Sequence, residues 1–219
     1  MPNRIPFLIV AGIVLSLPPG MMTPGWAQQG PPPPPHLSGV RPEPSRLDER
    51  SVDERIQRMR SHLVQLRMKD KTAQGLISAA QRELERAQEK LQGNELYAAD
   101  RLQSAADAFA HAAEHSLHLA EGPNGPVPQP REIADHLQHV YFRLQQADFF
   151  ASASGESEAK PLPGLARKYY EEARKAYDSG GRFAADEYAK SADDTIRGLE
   201  NLAQAAVPEP TPPPPPKPR

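Results

Sequence analysis

Histidine is the residue type in this sequence best placed to do chemistry, because a neutral imidazole nitrogen is a common metal ligand. Five of the seven histidines fall on two adjacent predicted helices: His111, His115, His118, His136 and His139. The first three recur at four- and three-residue steps, and at about 100° per residue they share one narrow arc of their helix. An antiparallel return of the chain would bring His136 near His115. Imidazoles in this arrangement could bind copper, nickel or zinc.

The same histidines could instead form a solvated helix face. The core side of their helix is predicted from its apolar residues, which are Leu102, Phe109, Ala112, Ala113 and Ala120. The histidines lie largely opposite this side, and an exposed histidine stripe is typical of a face turned to water. The main expectation is therefore that no cofactor binds, with copper, nickel or zinc at the histidine cluster as the alternative.

Enzymatic motifs are missing from the sequence. It contains no Gly-rich phosphate loop, no Gly-x-Ser-x-Gly nucleophile elbow and no His-Glu-x-x-His zinc helix. Cysteine is absent, which excludes disulfides, thiol catalysis and cysteine-ligated zinc. Lys and Arg number 26 against 28 Asp and Glu, and no long run of one sign occurs, so nucleic acid is not an expected partner. We expect a protein that is not an enzyme.

Aromatic side chains on the later helices are the second group of candidate residues. Helical hairpins recruit partners through aromatic anchors, which favours a protein-binding surface. The residues predicted to form this surface are Phe149, Phe150, Tyr169, Tyr177 and Tyr188. Aromatics at helical spacing are more often part of the core, so a buried role is the alternative.

Six predicted helices carry these residues, within one all-α domain that covers residues 46–206. Hydrophobic residues recur at three- and four-residue steps, and Gly, Pro and Asn mark the turns. The predicted helices are Arg46 to Asp70, Thr72 to Leu91, Glu95 to Glu121, Arg131 to Ala153, Pro163 to Asp178 and Arg182 to Ala206. Aromatics make up only 6% of the chain, so the core must depend on Ala and Leu.

Two of the predicted helical hairpins are related in sequence. Tyr97-Ala98-Ala99-Asp100 aligns with Phe183-Ala184-Ala185-Asp186 at an offset of 86 residues, and six further positions, five of them alanine or leucine in the first hairpin, continue the match without gaps. The domain is therefore predicted to contain two related helical-hairpin halves, at about 72–121 and 163–206. Small alanines near each turn would let the paired helices approach closely.

The small-residue spacing of these hairpins resembles that of tetratricopeptide repeats. Ala173, Gly180, Ala185, Ala189 and Ala192 carry the resemblance, and Ala87, Ala99 and Ala106 echo it. The offset of 86 departs from the 34 residues of a tetratricopeptide unit, and the proline that follows the second helix of that unit is missing. The resemblance implies a helical protein-binding surface without enzymatic activity.

The ends of the chain are predicted to lie outside the domain. Arg4 followed by an apolar run and small residues at Gly25 and Ala27 indicate a signal peptide at 1–27, with a retained N-terminal anchor as the alternative. A proline-rich linker at 28–45 and a proline-rich tail at 207–219 are predicted to be disordered. We therefore expect a protein exported to the periplasm or the extracellular space, with no membrane span in the mature chain.

These observations predict an exported helical interaction or scaffold protein of the cell envelope whose partner is a protein of unknown identity. The alternative is an exported metal-binding protein that uses the histidine cluster. A third and weaker interpretation is a small-ligand carrier with an apolar cavity between the two halves.

Overall fold

The computed structural model describes residues 48–69, 73–123 and 125–208. The predicted signal peptide, the predicted linker and nearly all of the predicted tail lie outside these residues. Seven α-helices and one 3₁₀ turn make up the regular structure of the described part, which contains no β-strand, so the all-α prediction is confirmed. The helices are α1 Glu49–Lys69, α2 Gln74–Gln92, α3 Leu96–Glu121, α4 Pro130–Leu144, α5 Ala147–Ala153, α6 Leu162–Asp178 and α7 Arg182–Ala205, with the 3₁₀ turn at Ser157–Ala159.

The fourth predicted helix, Arg131 to Ala153, is two helices in the structure. Gln145 and Gln146 form a turn between α4 and α5, and the Gln146 backbone amide donates to the Arg143 carbonyl, three residues back. Leu144 and Ala147, on either side of the turn, are both buried. The predicted count of six helices is therefore wrong. The turn is tighter than a turn of α-helix, and it lets α4 and α5 bury their apolar residues in slightly different directions.

The first and last hairpins consist of α2 with α3 and of α6 with α7. Asn94 and Gly180 adopt positive φ angles of 58° and 81° in the two connecting turns, a conformation that suits these two residue types. The backbone amides of Glu95 and Gly181 then donate to the carbonyls of Lys90 and Ala176. Each pair of helices is thus joined by a tight turn and packed along its length.

The centre of the domain is the contact between α3 and α7, one helix from each hairpin. Alanine supplies nearly half of the buried apolar side chains, as the low aromatic content predicted. At Gly198 the α7 backbone is covered directly by the Phe109 ring, and Ser191 Oγ donates to the Ala112 carbonyl at 3.2 Å. Small residues therefore bring the two helices close together where they cross.

Helices α1, α4 and α5 pack around this central pair. Arg55 of α1 donates to Asp100 of α3, and Arg143 of α4 reaches Asp193 at 2.6 Å and Glu200 at 3.0 Å on α7. Among the described residues, no helix combines the length and apolar character that crossing a membrane requires.

A buried charge network connects α2 to the segment between α5 and α6. Glu83 is fully buried and contacts Arg82 and Arg86 of its own helix, which in turn reach Glu158 and Glu156. Burial and the nearby Glu156 charge raise the pKa of Glu83, although the two arginines oppose this shift. The arginines therefore compensate for a carboxylate that would otherwise be costly to bury.

Arg86→Ala is expected to destabilise the protein by about 2 kcal/mol, because it removes a partner of the buried Glu83 while Arg82 remains. Urea denaturation followed by circular dichroism at pH 7 measures the change. Lys90, also on α2, forms an exposed pair with Glu95 in the turn before α3, and Lys90→Ala should change stability by about 0.5 kcal/mol or less. Equal losses in the two variants would contradict the role given to Arg86.

Candidate functional site

Helices α3 and α7 cross in an antiparallel orientation. At the edge of this contact, polar side chains of α3 meet polar side chains of α7. Arg101 near the start of α3 donates to Gln204 near the end of α7 at 3.2 Å, while the far end of α3 meets the beginning of α7. The histidines of α3 occupy that far end. As a result, His115 and His118 face carboxylates that lie about 70 residues later in the sequence.

His115 lies between two carboxylates of α7. Its Nδ1 is 2.9 Å from Glu187 Oε2, and its Nε2 is 3.4 Å from Asp194 Oδ2. His118, one turn later, places its Nδ1 3.1 Å from the same Glu187 oxygen. The rings of the two histidines meet edge to face, with centroids 5.9 Å apart. Within the described part of the chain, His115, His118 and Glu187 form a group whose ligand atoms all lie within 4.8 Å of one another.

Further charges surround this group. Lys190 Nζ lies 3.0 Å from Glu187 Oε1 and 2.6 Å from Asp186 Oδ2. Arg197 contacts Asp194 at 2.7 Å. The Glu187 carboxylate thus uses one oxygen for Lys190 and presents the other to both histidines.

The electrostatics of the cluster hold His115 protonated at neutral pH. Burial opposes the charge on the ring, but hydrogen bonds to Asp194 and Glu187 outweigh it and raise the pKa of His115 from 6.5 to about 9. Burial likewise opposes ionisation of Glu187, but hydrogen bonds from His115 and Lys190 lower its pKa from 4.5 to about 2. At pH 7 the group is therefore an ion-pair cluster that links the two hairpins.

Comparison with protein-family models, with curated proteins and with solved structures gives no match. The tetratricopeptide resemblance accordingly stays a prediction, and any function must be argued from the residues and their geometry.

The structure separates the five predicted metal ligands into different environments. His111 lies near Asp107 and Glu114 of its own helix, at 4.0 and 3.9 Å, and is partly exposed. His136 and His139 on α4 approach Asp186 and Asp193, each at 3.9 Å. Helix α4 packs on α6 and α7, so His136 contacts α7. The sequence predicted that His136 would lie near His115.

The prediction of an exposed histidine face is wrong for His115. Its side chain is only 18% exposed, because α7 covers that side of α3 and contributes the carboxylates. His111 and His118 keep about half of their side chains in solvent, as a face turned to water would. The arc of histidines therefore runs along the edge of the α3 and α7 contact.

The five predicted aromatic anchors also differ in how much of each side chain is exposed. Phe149 is 40% exposed, whereas Phe150 is 3% exposed and belongs to the core, where it offers no surface to a partner. Tyr169 and Tyr188 are half-buried and pack against each other with ring centroids 6.4 Å apart. Tyr177 is half-buried as well, and its hydroxyl donates to the Pro130 carbonyl at 3.3 Å.

Tyr141 on α4 is 41% exposed. Its ring lies 5.8 Å from that of Phe142 and 6.1 Å from that of Tyr170 on α6. Tyr141 and Phe149, here called the exposed aromatics, both lie on the α4 and α5 segment that borders α6.

Sequence reasoning did not find Glu187 and Asp194, the two carboxylates of the histidine cluster. A signal for them exists, since the acidic pairs Asp186-Glu187 and Asp193-Asp194 are seven residues apart and so lie on one face of α7. Spacing alone does not reveal that this face meets the histidines of α3.

An open polar groove lies between α1 and α3. Its lining residues are Arg55, Arg58, Met59, His62, Gln103, Ser104 and Asp107. The groove lies on the α1 side of α3 and is polar, so it does not correspond to the apolar cavity between the two halves that a small-ligand carrier would need.

Proposed function

We propose that this chain is a non-enzymatic interaction or scaffold protein of the cell envelope, exported to the periplasm or the extracellular space. Its domain is built from two related helical hairpins, and it binds a protein partner through the exposed aromatics. The single observation that carries this proposal is the exposure of Tyr141 and Phe149, since large aromatic side chains left in solvent are typical anchors of protein interfaces.

The exposed aromatics stand on elements held firmly in place. Arg143 ties α4 to two carboxylates of α7, and Asp148 next to Phe149 pairs with Arg167 of α6. Phe150 fills the core beside Phe149 with ring centroids 5.9 Å apart. A surface fixed in this way loses little conformational entropy on binding, which favours recognition of a partner by preformed shape.

The proposed duplication is supported by the helix boundaries. Helix α2 ends at Gln92 and α6 ends 86 residues later at Asp178, while α3 begins at Leu96 and α7 begins 86 residues later at Arg182. The positive φ residue of each turn obeys the same offset. Four pairs of aligned alanines are fully buried: Ala80 with Ala166, Ala87 with Ala173, Ala99 with Ala185, and Ala106 with Ala192. Hairpins of this kind form the protein-binding surfaces of helical repeat proteins.

Photo-cross-linking tests the proposal. A photoreactive phenylalanine at position 149 is expected to give a discrete cross-linked product in the cell envelope, and Tyr141→Ser is expected to reduce its yield at least tenfold. The same photoreactive residue at Val64, which is 58% exposed on α1, serves as the matched control and should give no such product. Identical products from positions 149 and 64, or none from either, would refute a partner surface at the exposed aromatics.

Metal binding is the second candidate function, with copper, nickel or zinc as the ion. The specific observation in its favour is the convergence of His115, His118 and Glu187. Its ligand set differs from the five histidines predicted from spacing.

A further inference from the structure

Three side chains of metal-ligand type converge where the two hairpins meet. His115 and His118 are separated by one turn of α3, so both rings point to the same side of the helix. Glu187 reaches them from α7, and one of its oxygens lies 2.9 Å from His115 Nδ1 and 3.1 Å from His118 Nδ1. A bound ion at this place would connect one hairpin to the other.

The distances from Glu187 to the two histidines are close to those of a coordination sphere, and all three ligand atoms lie within 4.8 Å of one another. In a tetrahedral site with bonds of about 2.0 to 2.1 Å, neighbouring ligand atoms lie about 3.3 Å apart. The two contacts that Glu187 makes with the histidines are shorter than this by only 0.2 to 0.4 Å. Small rotamer adjustments would therefore admit an ion, and half-exposed His118 has room to make them.

The surroundings supply the outer interactions that metal-binding histidines need. Asp194 Oδ2 lies 3.4 Å from His115 Nε2, so that Nε2–H can donate a hydrogen bond to it when Nδ1 binds an ion. Lys190 holds the second oxygen of Glu187, which leaves the first oxygen directed at the histidines. Carboxylate, imidazole and metal in this order form a common arrangement in zinc proteins.

We propose that His115, His118 and Glu187 form a binding site for one divalent transition-metal ion of the zinc class, with an open coordination position on the solvent side of His118. Two imidazoles and one carboxylate favour Zn²⁺, Cu²⁺ or Ni²⁺ over Ca²⁺ or Mg²⁺, which take oxygen ligands. His111, His136 and His139 are not ligands of this site. The site is independent of the exposed aromatics. A result that refutes the metal site therefore leaves the proposed protein-binding surface untouched, and the reverse also holds.

Calorimetric titration of the full chain with Zn²⁺ at pH 7.5 is the test. One ion is expected to bind per chain, and His118→Ala should weaken the affinity at least tenfold. His111→Ala changes a histidine one turn before His115 on the same helix, and it should alter the affinity less than twofold. Circular dichroism verifies that both variants are folded, which the partial exposure of the two side chains favours.

Binding of one Zn²⁺ per chain, together with the loss of affinity in His118→Ala, supports the proposal. The proposal is overturned if Zn²⁺ binds no more tightly than millimolar, or if His111→Ala and His118→Ala weaken binding equally.

Discussion

Gly198→Ala is expected to destabilise the protein by about 2 to 3 kcal/mol. A Cβ atom at this position would lie 2.2 to 2.7 Å from three carbons of the Phe109 ring, a distance that the packed interior does not permit. Both residues lie at the centre of the contact between α3 and α7, so the ring can move only by separating the two hairpins. Overpacking of this kind outweighs the gain of about 1 kcal/mol that alanine normally brings to a helix.

Urea denaturation followed by circular dichroism measures this change, and a matched substitution provides the control. Gly164 also lies in a helix, but a Cβ atom there would meet nothing within 4 Å, so Gly164→Ala should stabilise the protein by about 0.5 to 1 kcal/mol. Opposite signs for the two variants are the expected outcome. A stabilised Gly198→Ala variant would show that α3 and α7 do not approach as closely as described.

A compensating change sharpens this test. Phe109→Leu removes the edge of the ring that blocks the new methyl group and should itself be destabilising, because it leaves space in the core. The double variant Phe109→Leu with Gly198→Ala should therefore lose less than the sum of the two single losses, by about 1 kcal/mol or more. Strict additivity would contradict a direct contact.

The free energy of unfolding of the metal-free protein is expected to fall by about 3 kcal/mol as the pH rises from about 6.5 to above about 9. The pKa of His115 is higher in the folded state than in the unfolded state, because Asp194 and Glu187 stabilise its charged form. The folded state therefore binds this proton more tightly. The resulting stabilisation is complete below pH 6.5 and is lost as the pH passes through about 9.

The pKa shifts of Glu187 and Lys190 act outside this range. The lowered pKa of Glu187 gives a stabilisation that is present above pH 4.5 and is lost as the pH falls through about 2. The pKa of Lys190 is raised above its usual 10.5, mainly by hydrogen bonds to Asp186 and Glu187 that overcome its burial. The alkaline loss between pH 6.5 and 9 is thus a property of His115.

Urea denaturation at intervals between pH 6 and pH 10, with a chelator present throughout, checks this prediction. His115→Gln should be less stable than the wild type at pH 6 and should show a much flatter dependence on pH. His139→Gln, a change at an exposed histidine of α4, should keep the wild-type dependence. Equal slopes for His115→Gln and the wild type would contradict the assignment.

Local sequence patterns predicted the elements of this fold well. Apolar residues at three- and four-residue steps located the helices to within a few residues, since a helix that covers a core must repeat with its own period. Gly93-Asn94 and Gly180-Gly181 marked the two tight turns, because the chain needs a positive φ there. The low aromatic content predicted a core that depends on Ala and Leu, and this expectation is confirmed for the described residues.

Hydrophobic periodicity did not predict the break between α4 and α5, because the apolar patterns of these two helices are nearly continuous. Between Leu144 and Ala147 the sequence has no Gly or Pro, so nothing in it signals the turn that separates α4 from α5. The break arises because both flanking residues must reach the core, and packing against α7 sets that requirement.

The sequence by itself determined the helical class, the turns and the residue types available for chemistry, because each of these depends on residues close together along the chain. Only the tertiary structure decided which histidines could act together. His115 and His118 meet Glu187 about 70 residues away, since small residues such as Gly198 and Ser191 allow α3 and α7 to cross closely. Contacts between distant segments depend on the packing of whole helices, which helical periodicity does not encode.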